Sequence, residues 1–391
     1  MPNHTDIPRI ARAASACLAA CVAAVSAHAA PPSYLVEEIG TGLTGFDMND
    51  AGTAVGRALN AQQVGRAFIA PRGGAFSLLP TPAEWQSSDA YAISPNGIVV
   101  GAVSTSTIAS IGSRPAAWYP TRKGYGFVLL PTIPGDVHGA AFGVNSHGDI
   151  VGGSGGLGLG SYPRAALFAP TGATLLPNFG TPADVNEHRI AVASNELLDL
   201  ATMQKTVIPL PAGNWQGVIT SDISDTGNIC GQILGFSGCS TFPLRYRPET
   251  GWEFVGGCAT TTSAVSVNDR GDALAYVANT ASWVSFVGEP NMSPSGLIAP
   301  SQGAWDVMGA SVIADNRMVL AGARPAGSAV TRLVRLVPIL PEELDGDGTV
   351  GAADLALLLG AWGGSGSAAD IDGSGLVDAA DLGMLLAAWT S

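Results

Sequence analysis

The sequence predicts a mainly β protein: a seven-bladed β-propeller-like repeat domain followed by a small α-helical domain built on two calcium-type loops. Three observations carry that expectation. A strand–turn–strand motif recurs seven times along the chain. Gly (51 residues) and Pro (26) are abundant while charged residues make up only 13%, a composition that suits short strands joined by tight turns. The C-terminal segment is a duplication rich in Asp and Gly. Apolar residues reach 47%, enough for a core, so disorder is not expected despite the glycine.

The repeat is clearest in Met48 to Gly56, Ile93 to Gly101 and Val144 to Gly152. Ile223 to Gly231 and Val267 to Ala275 follow the same pattern, and Val185 to Ala193 and Ile313 to Ala321 are degenerate, with Arg189 and Arg317 at the glycine position. Each copy reads as a strand, an Asn/Ser-x-x-Gly turn that accommodates positive φ, and a second strand. Third strands are expected at Arg66 to Pro71, Arg114 to Pro120, Arg164 to Pro170 and Leu244 to Pro248. Short fourth strands are expected at Leu78 to Pro80, Leu129 to Pro131, Leu175 to Pro177 and Val207 to Pro209. Four strands in this spacing match one propeller blade. The last copy lacks a fourth strand, and the chain begins with an unassigned strand, Tyr34 to Ile39. Pairing that strand with Arg332 to Pro338 would close a ring and hide its edges. An open β-solenoid of stacked repeats is the rival architecture.

Residues 34–338 resemble the HAF-type extracellular repeats, whose pattern is an apolar-Asn-x-x-Gly-x-Val-Val-Gly turn pair followed by a strand like Arg66-Ala67-Phe68. The resemblance implies an exported repeat protein and no particular biochemistry. Export is also expected from residues 1–29, where Arg9 and Arg12 precede an apolar run from Ala13 to Val25 and Ala27-His28-Ala29 offers a cleavage site. Leu18 to Cys21 resembles a lipobox, so lipidation at Cys21 is the alternative. Beyond the signal, no apolar run is long enough to span a membrane as a helix. An oxidising compartment permits one disulfide. On the propeller layout Cys230 takes an inward strand position, as a buried thiol, while Cys239 and Cys258 fall in loops on one face and can bridge.

Acidic residues outnumber basic ones, 31 to 18. No Lys or Arg follows Arg335, and nucleic acid, which needs a basic surface, is not an expected partner. Concentrated carboxylates suit a hard cation instead. Glu343 to Asp354 and Asp370 to Asp381 align at an offset of 27. A twelve-residue calcium loop takes ligands at positions 1, 3, 5, 7, 9 and 12, with glycine at 6. Loop one supplies Glu343, Asp345, Asp347, the carbonyl of Thr349 and Asp354, with Gly348 at position 6. Loop two supplies Asp370, Asp372, Ser374, the carbonyl of Leu376, Asp378 and Asp381, with Gly375 at position 6. Val350 and Val377 occupy position 8, and an apolar helix follows each loop.

EF-hand loops close with Glu, whereas both loops here close with Asp and leave no room for an entering helix. This C-terminal segment resembles a type I dockerin: two loops, two Asp-Leu helices, and Trp362 and Trp389 eight residues past each closing Asp. The resemblance implies two Ca²⁺ ions and a cohesin-like partner, contacted at positions 10 and 11, here Ala352-Ala353 and Ala379-Ala380. Glu343 in place of Asp and Gly351 at position 9 depart from the family pattern and put loop one in doubt. The plain reading of the alanine pairs is helix-favouring filler.

No catalytic residues are expected. Gly152 to Gly156 satisfies G-x-S-x-G, and Gly153 to Gly158 satisfies G-x-G-x-x-G, but neither is followed by the helix its chemistry requires. With few charged residues per blade, no converging set of acids is expected at a propeller mouth. The expected function is exported attachment: a calcium-loaded tail docked to a cohesin-like protein and a propeller presenting loops to a polysaccharide or protein. The alternative is a dockerin-borne carbohydrate-active enzyme, a lyase or glycoside hydrolase, with the propeller as its catalytic domain.

Overall fold

The computed structural model describes residues 32–107, 112–155, 162–235, 240–258, 262–277, 281–345 and 350–389. The expected export signal and Cys21 lie outside them. Among the described residues the strands form seven antiparallel sheets, the blades of a β-propeller. The first blade is β2 (Leu43–Met48), β3 (Ala54–Leu59), β4 (Gly65–Ala70) and β5 (Ser77–Leu78). Blades two to five repeat the order, and the sixth has three strands with Met292 bridged to Val284 outside them. The seventh joins β25 (Trp305–Ile313), β26 (Val319–Pro325) and β27 (Arg332–Ile339) to β1 (Ser33–Thr41), from the other end of the chain. Tyr34 pairs with Pro338 and Thr41 with Arg332, so the ring is closed and the solenoid is set aside.

Hydrophobic layers fill the spaces between blades. Val55, Ala67 and Ile69 of the first blade pack on Ala90, Val99 and Trp118 of the second, and the Trp118 indole N–H donates to the Pro80 carbonyl at 2.7 Å. The expected fourth strands lie one step too late. Strands end at Leu78, Leu129, Leu175 and Val207, all exposed, and the next residue in each copy (Leu79, Leu130, Leu176, Ile208) is buried. The second residue of the Leu-Leu-Pro pattern is thus a plug driven back into the core.

The inner strand carries a β-bulge in six blades, between Gly45 and Asp47 in the first and between Ala90 and Ala92 in the second. The closing glycine of the repeat belongs to this bulge. A Cβ on Gly101 would lie 2.0 Å from the Asp89 carbonyl oxygen, so a side chain cannot enter without moving the inner strand.

The turns do more than reverse the chain. Their second residues, joined by Thr226 at the third place of its turn, form a girdle in which a carboxylate accepts a backbone N–H from the preceding blade. Ser146 donates to Glu187, Glu187 to Asp225, Thr226 to Asp269, Asp269 to Asp315, and Asp315 to Asp50 across the closure. The two degenerate turns place arginine at positive φ, 64° for Arg189 and 66° for Arg317, a conformation that costs about 1–2 kcal/mol. Each reaches back to an aspartate that follows the preceding blade's turn glycine. Arg189 grips Asp149 at 2.7 and 2.8 Å, and Arg317 reaches Asp272 at 2.7 and 3.4 Å. An ion pair offsets the strain.

After β27 come two short helices, α1 (Ala352–Gly360) and α2 (Ala379–Ala387). Their core is made of duplicate pairs: Val350 and Val377, Leu358 and Leu385, with Leu344 and Ile371 at its margin.

Candidate metal centre

The tail brings its carboxylates together as the duplication predicts. Glu343, Asp345 and Asp354 have oxygens within 4.8 Å of one another, and so do Asp370, Asp372 and Asp381. Asp347 and Thr349, expected ligands of loop one, lie outside the described residues, as does Gly348.

Backbone amides hold the two closing aspartates in matching poses. Asp381 Oδ1 accepts from Ile371 N (2.7 Å) and Asp372 N (3.0 Å), and its Oδ2 accepts from Asp378 N (2.8 Å). Asp354 Oδ1 accepts from Leu344 N (2.6 Å) and Asp345 N (3.1 Å), and Oδ2 from Gly351 N (2.7 Å). Hydrogen bonds to the charged form favour it. For Asp381 the Asp378 amide leads in holding the carboxyl below its ordinary value. For Asp354 burial pulls upward, and the three amides together outweigh it. Both side chains are occluded by their own loops.

Loop two shows the more complete donor set. Asp370 Oδ2 accepts from Gly375 N at 2.9 Å, whereas its Oδ1 is buried with no hydrogen-bond partner. A buried carboxylate oxygen without a partner is costly, and a cation beside it would remove that cost. Ser374 Oγ donates to the Leu376 carbonyl at 3.2 Å, which puts the expected ligands of positions 5 and 7 side by side. Asp378 caps α2, its Oδ1 accepting from Ala380 N at 2.8 Å. In loop one the equivalent cap is Gly351, which has no side chain. Oxygen donors only, three or more carboxylates and glycines at positive φ (Gly373 69°, Gly375 94°) fit a hard divalent cation such as Ca²⁺. Val350 and Val377 are both buried, and the Val377 backbone pairs with Gly363 and Gly364.

The four alanines expected at a partner surface are exposed. They are accompanied by large apolar side chains at duplicate positions: Leu357 and Met384, Leu359 and Leu386, Trp362 and Trp389. Leu357 also edges a groove of about 370 Å³ between α1 and Ser367 to Ala369.

No family model matches the chain, and no curated protein does. Among solved structures it is similar to YCF48 bound to D1 peptide, at a TM-score of 0.43 and 9% identity over 80% of this chain and 99% of that one. It is also similar to AofleA from Arthrobotrys oligospora, at a TM-score of 0.36 and 11% identity over 80% of this chain and 92% of the other.

Elsewhere the structure sorts the remaining candidates. Cys230 is buried and free, its thiol pushed up by burial. Cys258 is disulfide-bonded, while Cys239 lies outside the described residues. Ser154, the nominal nucleophile of the G-x-S-x-G match, is wholly buried in a strand and donates to Asp136 at 2.7 Å, a structural bond. One expectation needs correction. Acids do converge at the propeller mouth: Asp47, Asp184 and Asp222 meet in the throat beneath the turn girdle. Few charged residues per blade did not forbid this, because the repeat places one position of each blade on a common axis.

Proposed function

We propose that this is an exported, non-enzymatic attachment protein whose dockerin-like tail binds two Ca²⁺ ions and docks to a cohesin-like partner. The propeller, built from HAF-type repeats, presents a binding face to a polysaccharide or protein. The observation that carries this reading is the duplicated triad of carboxylates, each closed by an aspartate already held by three backbone amides. Bound Ca²⁺ would supply charge neutralisation between the loop carboxylates. The chain's own residues do the rest: Asp354 and Asp381 fix the loops to the helix starts, and the valines and leucines of the small core hold the two halves together. A core this small gains much of its stability from its metals.

Docking is supported by the exposed alanine pairs and the duplicated apolar residues beside them, a surface suited to a hydrophobic interface centre. The experiment is surface plasmon resonance of the full chain over an immobilised type I cohesin module. Binding that requires calcium and fails in an Ala352→Asp/Ala379→Asp double variant supports the reading, and calcium-independent or absent binding to a panel of cohesins removes the partner from it.

The convergent throat acids favour one second reading, a carbohydrate-active lyase or glycoside hydrolase with the propeller as catalytic domain. Release of reducing ends or unsaturated products from a polysaccharide panel, lost in Asp222→Asn, would establish it. An inactive wild-type chain across that panel would remove it.

A further inference from the structure

We propose that the propeller mouth binds an organic cation: an alkylammonium or guanidinium group on a narrow stem, such as a lysine or arginine side chain of a partner protein. The inference deepens the reading of the propeller as the ligand-presenting body and rests on it, but not on the calcium chemistry of the tail.

The site is a cavity of about 220 Å³ where inner strands of all seven blades meet. Seven carboxylates line it, and among the described lining residues there is no Lys, Arg or His. Three of the acids lie in the throat because the residue before the last of the inner strand faces the axis, in the unbulged strand of blade four as in the bulged strands of blades one and five. Asp47 accepts from Met48 N and Ile93 N, both at 2.7 Å, and Asp222 accepts from Val267 N at 2.9 Å. These amides orient the carboxyl groups, and no basic residue of the described lining pairs with them. The matching position in the third blade is Gly143, where a Cβ would lie 2.4 Å from Asp184 Oδ1. That blade gives up its side chain to make room for a neighbour's carboxylate.

The bulge residues of the first three blades add a second, chemically different wall. Phe46, Tyr91 and Phe142 line the same cavity, with ring centroids 5.7 and 5.8 Å apart in succession. All three are only half-buried; the Arg57 guanidinium already lies over the Phe46 ring, 5.5 Å from its centre, so Tyr91 and Phe142 are the faces left for a ligand. Asp184 and Asp222 share a hydrogen bond with each other, and aromatic faces next to carboxyl groups that lack a basic partner are the surroundings in which organic cations are held. Burial, the leading cause, pushes Asp47 up to about 7, with the charges of Asp222 and Asp50 adding to it; Asp184 is driven the same way by burial and by Asp222.

Geometry chooses among cations. Only in the tail do three described carboxylates come within 4.8 Å of one another. No third described carboxylate joins the hydrogen-bonded Asp184 and Asp222 within that span, so the throat does not wrap one small metal ion in carboxylates, and it matches a cation whose charge is spread over a larger group with methylene faces. Its volume of about 220 Å³ also falls below the roughly 300–1,000 Å³ of sites for drug-sized ligands, which suits a single side chain.

The test uses the full chain saturated with calcium, titrated calorimetrically with Nα-acetyl-lysine methylamide, its arginine counterpart and the neutral norleucine analogue. The cationic probes are expected to bind saturably, weakening as salt rises, and the neutral one not to bind. Asp184→Asn, Asp222→Asn and Phe142→Leu, the last close in volume but without a ring, are each expected to weaken binding about tenfold. Unchanged calcium stoichiometry and unfolding midpoint would show that these variants are folded and that the tail is unaffected. No binding at millimolar probe, equal binding of the norleucine analogue, or cation binding that survives all three substitutions would overturn the proposal. Failure here with intact calcium binding leaves the attachment reading standing.

Discussion

Replacing Arg335 with methionine should loosen the ring at its seam. Arg335 is 2% exposed on β27, and its Nε–H donates to the Gly52 carbonyl at 2.6 Å while an Nη2–H donates to the Ala70 carbonyl. Both acceptors belong to the first blade. Glu37 on β1, 3.9 Å from Nη1, is the nearest counter-charge. Arg245 does the same work between blades five and six, donating to the Gly271 and Ser285 carbonyls at 2.9 and 3.0 Å. Methionine keeps much of the stem but leaves two carbonyls without their donors. Hydrogen bonds to a charged group contribute about 1.5–3 kcal/mol each. Burying the guanidinium, which pushes Arg335 down from its ordinary value, offsets part of that. A net loss of about 3 kcal/mol is expected, or roughly 6–10 °C in the midpoint. Urea unfolding followed by tryptophan fluorescence, on calcium-loaded protein, measures it, and Arg245→Met should lose a similar amount. A loss below about 1 kcal/mol for Arg335→Met would refute the view that these arginines staple one blade to the next.

Three further outcomes follow from the geometry. Gly101→Ala should destabilise by about 1–3 kcal/mol, because its Cβ meets the Asp89 carbonyl at 2.0 Å; an unchanged urea midpoint would show that the inner strand gives way freely. A raised carboxyl favours the folded propeller in acid: Asp47, at about 7 in the fold and near 3.9 unfolded, contributes stability that is full below pH 4 and lost as pH rises to about 7. Asp47→Asn should remove about one proton from the slope of unfolding free energy between those limits, and an unaltered slope would contradict the buried setting given to Asp47. Asp381→Ala should abolish the loop-two site and lower the helix signal of the tail in calcium, read by circular dichroism; full retention of both would mean that this aspartate does not close the loop.

Much of the propeller was legible because one turn motif, repeated seven times, fixes both strand period and blade order. Closure was legible too, since a lone strand at Tyr34 to Ile39 matched a missing one after Arg332 to Pro338. Local pattern failed where the partner residue sits in another copy. Arg189 and Arg317 look like decay of the repeat until Asp149 and Asp272, one blade back, are seen to hold them. That signal was present as Gly148-Asp149 and Gly271-Asp272, found only in the copies that precede an arginine turn. The throat acids were missed for a related reason. Asp47, Asp184 and Asp222 are far apart in sequence and share only a position within the repeat, which becomes an axis once the ring is closed. The tail's carboxylates, in contrast, were readable from ligand spacing, because each loop is local.

Calcium binding by the tail is the property on which the proposed attachment depends. Isothermal calorimetry of the full-length chain, stripped of metal and titrated with Ca²⁺, tests it most directly. Two ions per chain are predicted for the wild type, the tighter on loop two, where Asp370 offers its unpartnered oxygen and Asp378 stands at position 9. One ion remaining in Asp381→Ala would assign the sites. No heat of binding at millimolar Ca²⁺, or binding undiminished when Asp354 and Asp381 are both replaced, would contradict the account.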